Sequence, residues 1–293
     1  MPIVKKNDVM PERPVIIVLY GTPGTGKTSL ANTSKNPILI DTDRGSDRAS
    51  HRVDTLMAAK WLDIESEKEA IKTYDTVVVD TAKSLLDDYL ADYVVSQNYK
   101  LKTNGLKRFG EMAEKFKEFV NFLRQNQSDI IFVCHDKETT EGDIVKHSPE
   151  CTGQSKDLLL RIADQVGYIT MVNGQRTVVF DPTDTTVGKN VAQIPPMAIP
   201  DCNSISFQTC MADVIDKVKK ALVNKSEAQK QAQEELHAAN AKLKSAETLE
   251  DANELIEIAN KLPKPMQKGF KMKVAEEMKK KGFVISEGKF IEQ

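Results

Sequence analysis

Eight residues, Gly21-Thr22-Pro23-Gly24-Thr25-Gly26-Lys27-Thr28, fit the pattern GxxxxGK[ST] at every fixed position. They follow an apolar, β-branched run, Val15-Ile16-Ile17-Val18-Leu19, and lead into a stretch from Lys27 that can open a helix. Strand, glycine-rich loop and helix start in that order make a phosphate cradle. The glycines let the backbone curl so that successive N–H groups face inward, and the helix N-terminus adds its dipole and unpaired N–H groups. Lys27 supplies a point charge for the β- and γ-phosphates, and the Thr28 hydroxyl suits Mg²⁺. The expected nucleotide contacts therefore run from Gly21 to Ser29, with ATP and Mg²⁺ as the implied cofactors.

Three further polar residues stand at the ends of apolar runs. Pro37-Ile38-Leu39-Ile40 runs into Asp41-Thr42-Asp43, Thr76-Val77-Val78-Val79 ends in Asp80, and Ile130-Ile131-Phe132-Val133-Cys134 ends in His135. In an open α/β sheet the carboxyl ends of the strands are where ligands bind. An apolar strand ending in Asp downstream of a P-loop is the form of a Walker B strand, whose Asp completes the metal shell opposite the P-loop hydroxyl. That assigns Thr28 and Asp80 as the metal pair.

The elements that must position these groups alternate between strand-like and helix-like periodicity, which predicts a doubly wound, mostly parallel α/β sheet. Helices are expected over about 83–97, 107–125 and 211–223, with another opened by Ser155. A hairpin is expected at Tyr168–Phe180 around Asn173-Gly174. Trp61–Ile64 reads as a short strand followed by a helix from Ser66. Lys137–Gly153 reads as a long polar loop, and loops of that length are usually functional or mobile. From Asn224 the composition turns rich in Ala, Gln, Glu and Lys. The expected division is a tail at 1–14, a core at 15–223, a helical linker at 224–245 and a small helical module at 246–293.

Composition narrows the function classes. The 293 residues are 40% hydrophobic and 29% charged, with a formal net charge of −2, so nucleic acid would have to be met by a local basic surface. Such a stretch is Tyr99-Lys100-Leu101-Lys102 to Lys107-Arg108. The four cysteines form no CxxC, no run is long enough to span a membrane, and MPIVKKNDVMPERP has no apolar leader core. The expectation is a protein of a reducing cytoplasm with no membrane partner.

Among P-loop classes, a phosphoryl-transferring kinase needs an arginine-rich lid, which the chain lacks. AAA+ machines usually follow the Walker B Asp with a Glu base, and here Thr81 follows. A RecA-like core instead places an acidic residue at the end of the second strand, Asp-Ser/Thr at Walker B, and a polar sensor on a strand between the P-loop and Walker B strands. Asp43, Asp80-Thr81 and His135 occupy those places in order. With GTPGTGKTS, ILIDTDRGSD, YDTVVVDT, IIFVCHDKE, ADQVGYI and the late GKN, residues of about 13–220 resemble the Sak-type single-strand annealing ATPases, phage and prophage proteins built on a minimal RecA core.

The resemblance implies ATP binding, single-stranded DNA binding, and assembly into a homo-oligomeric ring or filament in phage recombination, within a bacterial host cytoplasm. It implies that Asp43 orients the attacking water, His135 senses the γ-phosphate, and Lys189 is offered across a subunit interface. The RecA DNA loops correspond to Tyr99–Arg108 and Lys137–Gly153. The DNA contacts expected are Tyr99, Lys100, Lys102, Lys107 and Arg108, and the C-terminal helices could recruit a single-strand-binding protein. Asp43 stands where the family more often has Glu, which is one methylene longer. The competing reading is a P-loop ATPase whose client is a protein, a loader or assembly factor that does not touch DNA.

Overall fold

Six consecutive buried residues, Ile16–Gly21, form the central strand β1, and the P-loop connects it to α1 (Lys27–Ala31). The computed structural model describes residues 11–286 and 288–292, so most of the expected N-terminal tail lies outside the described residues. The chain continues through β2 (Pro37–Asp41), β3 (Asp54–Met57), α2 (Trp61–Ser66), α3 (Lys68–Ile71) and β4 (Thr76–Asp80). A π-helical segment, Ser84–Leu90, runs into α4 (Ala91–Gln97), and α5 (Gly105–Gln125) follows. Then come β5 (Asp129–Glu141), β6 (Ile144–Pro149), α6 (Gly153–Ile162), β7 (Gln165–Val172) and β8 (Gln175–Val179). Two short strands, β9 (Lys189–Asn190) and β10 (Met197–Ala198), precede the long α7 (Cys210–Ser245). The C-terminal part holds α8 (Leu249–Lys261), α9 (Lys264–Lys280), β11 (Phe283–Ser286) and β12 (Lys289–Glu292).

Two compact units result, one over Glu12–Leu222 and one built mainly from Val223 onward. The first is a doubly wound sheet in the order β10-β8-β7-β1-β5-β4-β2-β3. The six strands from β7 to β3 run parallel, and β8 and β10 add antiparallel edges. β5 lies between β1 and β4, the RecA-like order expected of a P-loop sheet with an inserted sensor strand. Alternation along β1 fills both faces: Ile16, Val18 and Tyr20 join the core with Trp61, Phe116, Phe119 and Phe132, whereas Val15, Ile17 and Leu19 join Leu30, Phe180, Phe207 and Met211.

Buried carboxylates grip the start of β1. Asp129 accepts the Val15 N–H at 2.8 Å and is paired with Lys219 at 2.9 Å. Asp164 accepts the Ile16 N–H at 3.0 Å and takes a two-pronged contact from Arg13 at 2.5 and 2.9 Å. These bonds set where β1 begins, and hence where its far end delivers the P-loop.

Four expectations are corrected. Trp61–Ile64 is the first turn of α2 because Trp61 and Ile64, three apart, are both buried while Asp63 accepts the N–H groups of Ala59 and Lys60. The adjacent strand is β3 instead. Lys137–Gly153 is largely a hairpin: β5 runs on past His135 to Glu141 and pairs with β6, turning at Gly142 with φ +63°. No break separates 211–223 from 224–245, which share the single helix α7. The C-terminal unit ends in a β11–β12 hairpin whose Phe283 and Phe290 join a core with Leu255, Phe270 and Met278.

Replacing Asp164 by Ala leaves a buried N–H unpaired, so the expected loss of unfolding free energy is about 1–3 kcal/mol, read as a lower urea midpoint. Arg13→Ala, acting on a half-exposed guanidinium, is expected to cost only about 0–1 kcal/mol.

Candidate functional site

The P-loop has the shape of an anion cradle. Gly24 and Gly26 take φ of +80° and +82°, a conformation that L side chains rarely adopt, and Gly26 caps α1. A Cβ at Gly21 would sit 2.6 Å from the Ile169 carbonyl oxygen. Lys27 is buried and curls back so that its ammonium donates to the carbonyl oxygens of Gly21 and Thr22, both at 2.9 Å. Thr28 Oγ1 donates to Asp80 Oδ2 at 2.5 Å, which brings a hydroxyl and a carboxylate from β1–α1 and β4 to one point. Two hard oxygen ligands so placed suit Mg²⁺, which prefers carboxylate and hydroxyl oxygens plus substrate phosphates.

The carboxyl ends of β2 and β4 and the middle of β5, at His135, converge on the same place. Asp43, Asp80 and His135 all line a cavity of about 320 Å³ with Pro23, Gly24, Gly26, Lys27, Thr28 and Ser29. His135 Nε2 stands 3.6 Å from Asp43 Oδ2. Its buried Nδ1 has no hydrogen-bond partner among the described residues.

The Asp43 loop is organised by Asp41 beneath it. One Asp41 oxygen accepts the N–H groups of Asp43 and Gly45 at 3.1 and 3.2 Å, and the other accepts Ser46 N–H at 2.9 Å. Thr42 bridges to β4 by donating to Asp80 O at 2.8 Å and to Thr81 O at 3.0 Å.

The electrostatics follow from burial. Burial lowers the Lys27 ammonium's pKa, opposed chiefly by Asp80. Burial raises the Asp80 carboxyl's pKa, opposed by the Thr28 hydroxyl and Lys27. A site that disfavours charge on both groups has most to gain from an incoming polyphosphate and divalent cation. For Asp41, burial pushes upward, but its hydrogen bonds with Ser46, Gly45 and Asp43 outweigh it and hold the carboxyl below its usual range.

The other expected residues lie elsewhere. Lys189 donates to the Ala163 and Leu160 carbonyl oxygens at 2.5 and 3.4 Å, so its ammonium caps the C-terminus of α6. Tyr99, Lys100, Lys102 and Lys107 are exposed and Arg108 is half-buried, on a 3₁₀ turn and the start of α5. The Lys102 ammonium stands over the Tyr99 ring, 5.4 Å from its centroid. None of these five lines the cavity.

Two arginines that sequence reasoning misses also line it: Arg48, after the Asp43 loop, and Arg176, on β8. Arg176 Nη1 comes within 2.7 Å of where a Gly26 Cβ would be. The sequence signal is slight, an arginine just after the Asn173-Gly174 turn, and its reach depends on how the hairpin folds back.

Fold and site together define a P-loop NTPase core. A family model described as an AAA domain matches residues 13–191, and the chain belongs to that family. Membership implies nucleotide binding at the P-loop. Among solved structures, the crystal structure of the RadB recombinase is similar at 14% identity, covering 57% of this chain and 81% of that one with a TM-score of 0.36. No curated protein matches the chain. Among the described residues, no helix is long and apolar enough to cross a membrane.

Because Asp41's pKa is lower folded than unfolded, it stabilises the fold above the ordinary carboxylate range, near pH 4. That contribution is lost as pH falls through the folded value. Asp41→Ala is therefore expected to be less stable by about 1–3 kcal/mol near neutrality. The gap to wild type should narrow below about pH 4 in urea unfolding measured across pH.

Proposed function

We propose that this chain is an Mg²⁺-dependent ATPase that acts on single-stranded DNA in phage-type recombination or strand annealing, working as a homo-oligomer. The observation that carries the ATPase reading is the meeting of Asp43, Asp80 and His135 around the P-loop cavity. Gly21–Ser29 cradle the phosphates, with Lys27 turning from its own loop carbonyls to the β- and γ-phosphates. Thr28 and Asp80 hold Mg²⁺, which when bound neutralises phosphate charge and polarises the γ-phosphoryl group.

Asp43, exposed at the cavity edge, accepts a proton from the attacking water and orients it. His135, within 3.6 Å of Asp43, registers whether the γ-phosphate is present. Its strand continues directly into the β5–β6 hairpin, which gives that signal a path outward. Arg48 and Arg176 add positive charge around the phosphates, which the transition state needs and Lys27 alone supplies sparsely.

The DNA reading is supported by the exposed Tyr99 with the Lys102 ammonium over its ring, in a stretch that also exposes Lys100 and Lys107. The hairpin that replaces the second expected DNA loop is more acidic than basic, with Glu138, Glu141 and Asp143 against Lys137 and Lys146. A strand held by counterion release favours the first patch over the second.

Fluorescence anisotropy with labelled single-stranded DNA, with and without ATP·Mg²⁺ and at several salt concentrations, tests the proposal. Nucleotide-dependent binding that weakens steeply with salt is expected. Replacing Lys100, Lys102, Lys107 and Arg108 together by Ala should flatten the log–log salt slope by about 0.7 for each phosphate no longer neutralised. An absence of DNA binding in every nucleotide state would favour a protein client. Separately, Asp43→Asn is expected to keep ATP binding while turnover falls by about 10²- to 10⁴-fold. Unchanged turnover would remove Asp43 from the mechanism.

A further inference from the structure

The β5–β6 hairpin carries a second cluster of ligating groups, apart from the Thr28–Asp80 pair. Asp136 and Glu138 are two apart on β5, so their side chains share one face. His147 on β6 is the direct cross-strand partner of Glu138 and lies diagonal to Asp136. One ligand atom from each of the three lies within 4.8 Å of the others. The hairpin register thus produces the cluster.

Asp136 is the anomalous member. Its side chain is only 1% exposed. Oδ2 contacts His147 Nδ1 at 2.6 Å and lies 3.4 Å from the Tyr168 hydroxyl. Oδ1 is buried with no hydrogen-bond partner among the described residues. A buried carboxylate oxygen left unpaired is costly, and such groups are normally paired or coordinated to a metal.

The neighbours do not fill that place. Tyr20 donates its hydroxyl to Val187 O at 2.7 Å. Lys146 is paired with Glu141 at 2.6 Å, and no lysine or arginine among the described residues forms an ion pair with Asp136 or Glu138. Two carboxylates thus gather around a single imidazole, and one Asp136 oxygen is buried with no partner among the described residues.

We propose that Asp136, Glu138 and His147 bind a divalent first-row transition-metal ion of the zinc or manganese kind. Imidazole with carboxylates suits such ions, whereas Mg²⁺ takes oxygen ligands and keeps its waters. Ligand atoms about 2.0–2.2 Å from a common centre stand at most about 4.4 Å apart, so a small rotation of the exposed Glu138 closes the set. The ion displaces the His147–Asp136 hydrogen bond and clamps β6 to the segment of β5 that follows His135. It would therefore stiffen the hairpin where that hairpin leaves the nucleotide cavity.

Cobalt(II) titration of the chelator-treated full-length chain tests this, with visible d–d absorption as readout and zinc as competitor. One equivalent of cobalt is expected to develop bands that zinc displaces. The bands should survive Thr28→Ala, which removes a ligand of the P-loop metal. Cobalt affinity should fall by more than about tenfold in His147→Ala and in Glu138→Gln. Glu138 is exposed, so Glu138→Gln decides the matter if circular dichroism shows that His147→Ala is misfolded. An absence of cobalt bands, bands unaltered in Glu138→Gln, or bands abolished by Thr28→Ala would overturn the proposal.

Discussion

The contact between Thr28 Oγ1 and Asp80 Oδ2 spans a strand that belongs to neither residue. Thr28 follows β1, Asp80 ends β4, and β5 lies between those two strands. The contact forms only if β1, β5 and β4 all run parallel and in a register that brings their carboxyl ends level. That register pairs Gly21 with His135 across β1–β5, and Asp80 with Val133 across β4–β5. The same register places His135 beside the loop that carries Asp43. The cavity is thus a consequence of strand alignment, and whatever fixes the alignment fixes the site.

Buried carboxylates supply much of that fixing. Asp129, the first residue of β5, and Asp164, just before β7, hold Val15 and Ile16 at the start of β1, while Asp41 gathers the backbone of the Asp43 loop. Each removes a charge from water, which is unfavourable unless several N–H or cationic partners meet it. Here they do, and the bonds point at backbone whose position matters for the cavity. Lys189 does comparable work at the end of α6 and does not line the P-loop cavity. Asp43 and His135 carry little of that fixing, whereas Lys27 must leave the carbonyl oxygens of Gly21 and Thr22 to meet a ligand.

The parallel core was legible because its strands are short apolar runs with polar ends, and the groups that matter are those polar ends. Asp80 follows that rule, whereas His135 ends only the apolar part of β5, which runs on to Glu141; the position of β5 between β1 and β4 follows from the P-loop class. Trp61–Ile64 is too short, with three apolar residues and one polar, to favour either period, and the burial of Trp61 and Ile64 together decides for a helix. The β5–β6 hairpin is hidden by its charged tip, where Thr139 pairs with Lys146 and Thr140 with Val145, without a buried hydrophobic face. Arg176 was invisible as a site residue because its approach to Gly26 depends on the antiparallel return of β8 beside β7. The orphaned Asp136 oxygen has no sequence signal at all, since it arises from the packing around one carboxylate.

The alignment of β1, β5 and β4 brings Thr28 and Asp80 together, and we propose that this pair holds the metal of a bound nucleotide. Isothermal titration of the full chain with a non-hydrolysable ATP analogue, with Mg²⁺ present and withheld, tests it most directly. One site per chain is expected, tighter with Mg²⁺, with the Mg²⁺ dependence removed by Asp80→Asn and binding lost in Lys27→Ala. Binding in wild type that ignores Mg²⁺ and persists in Lys27→Ala would contradict it.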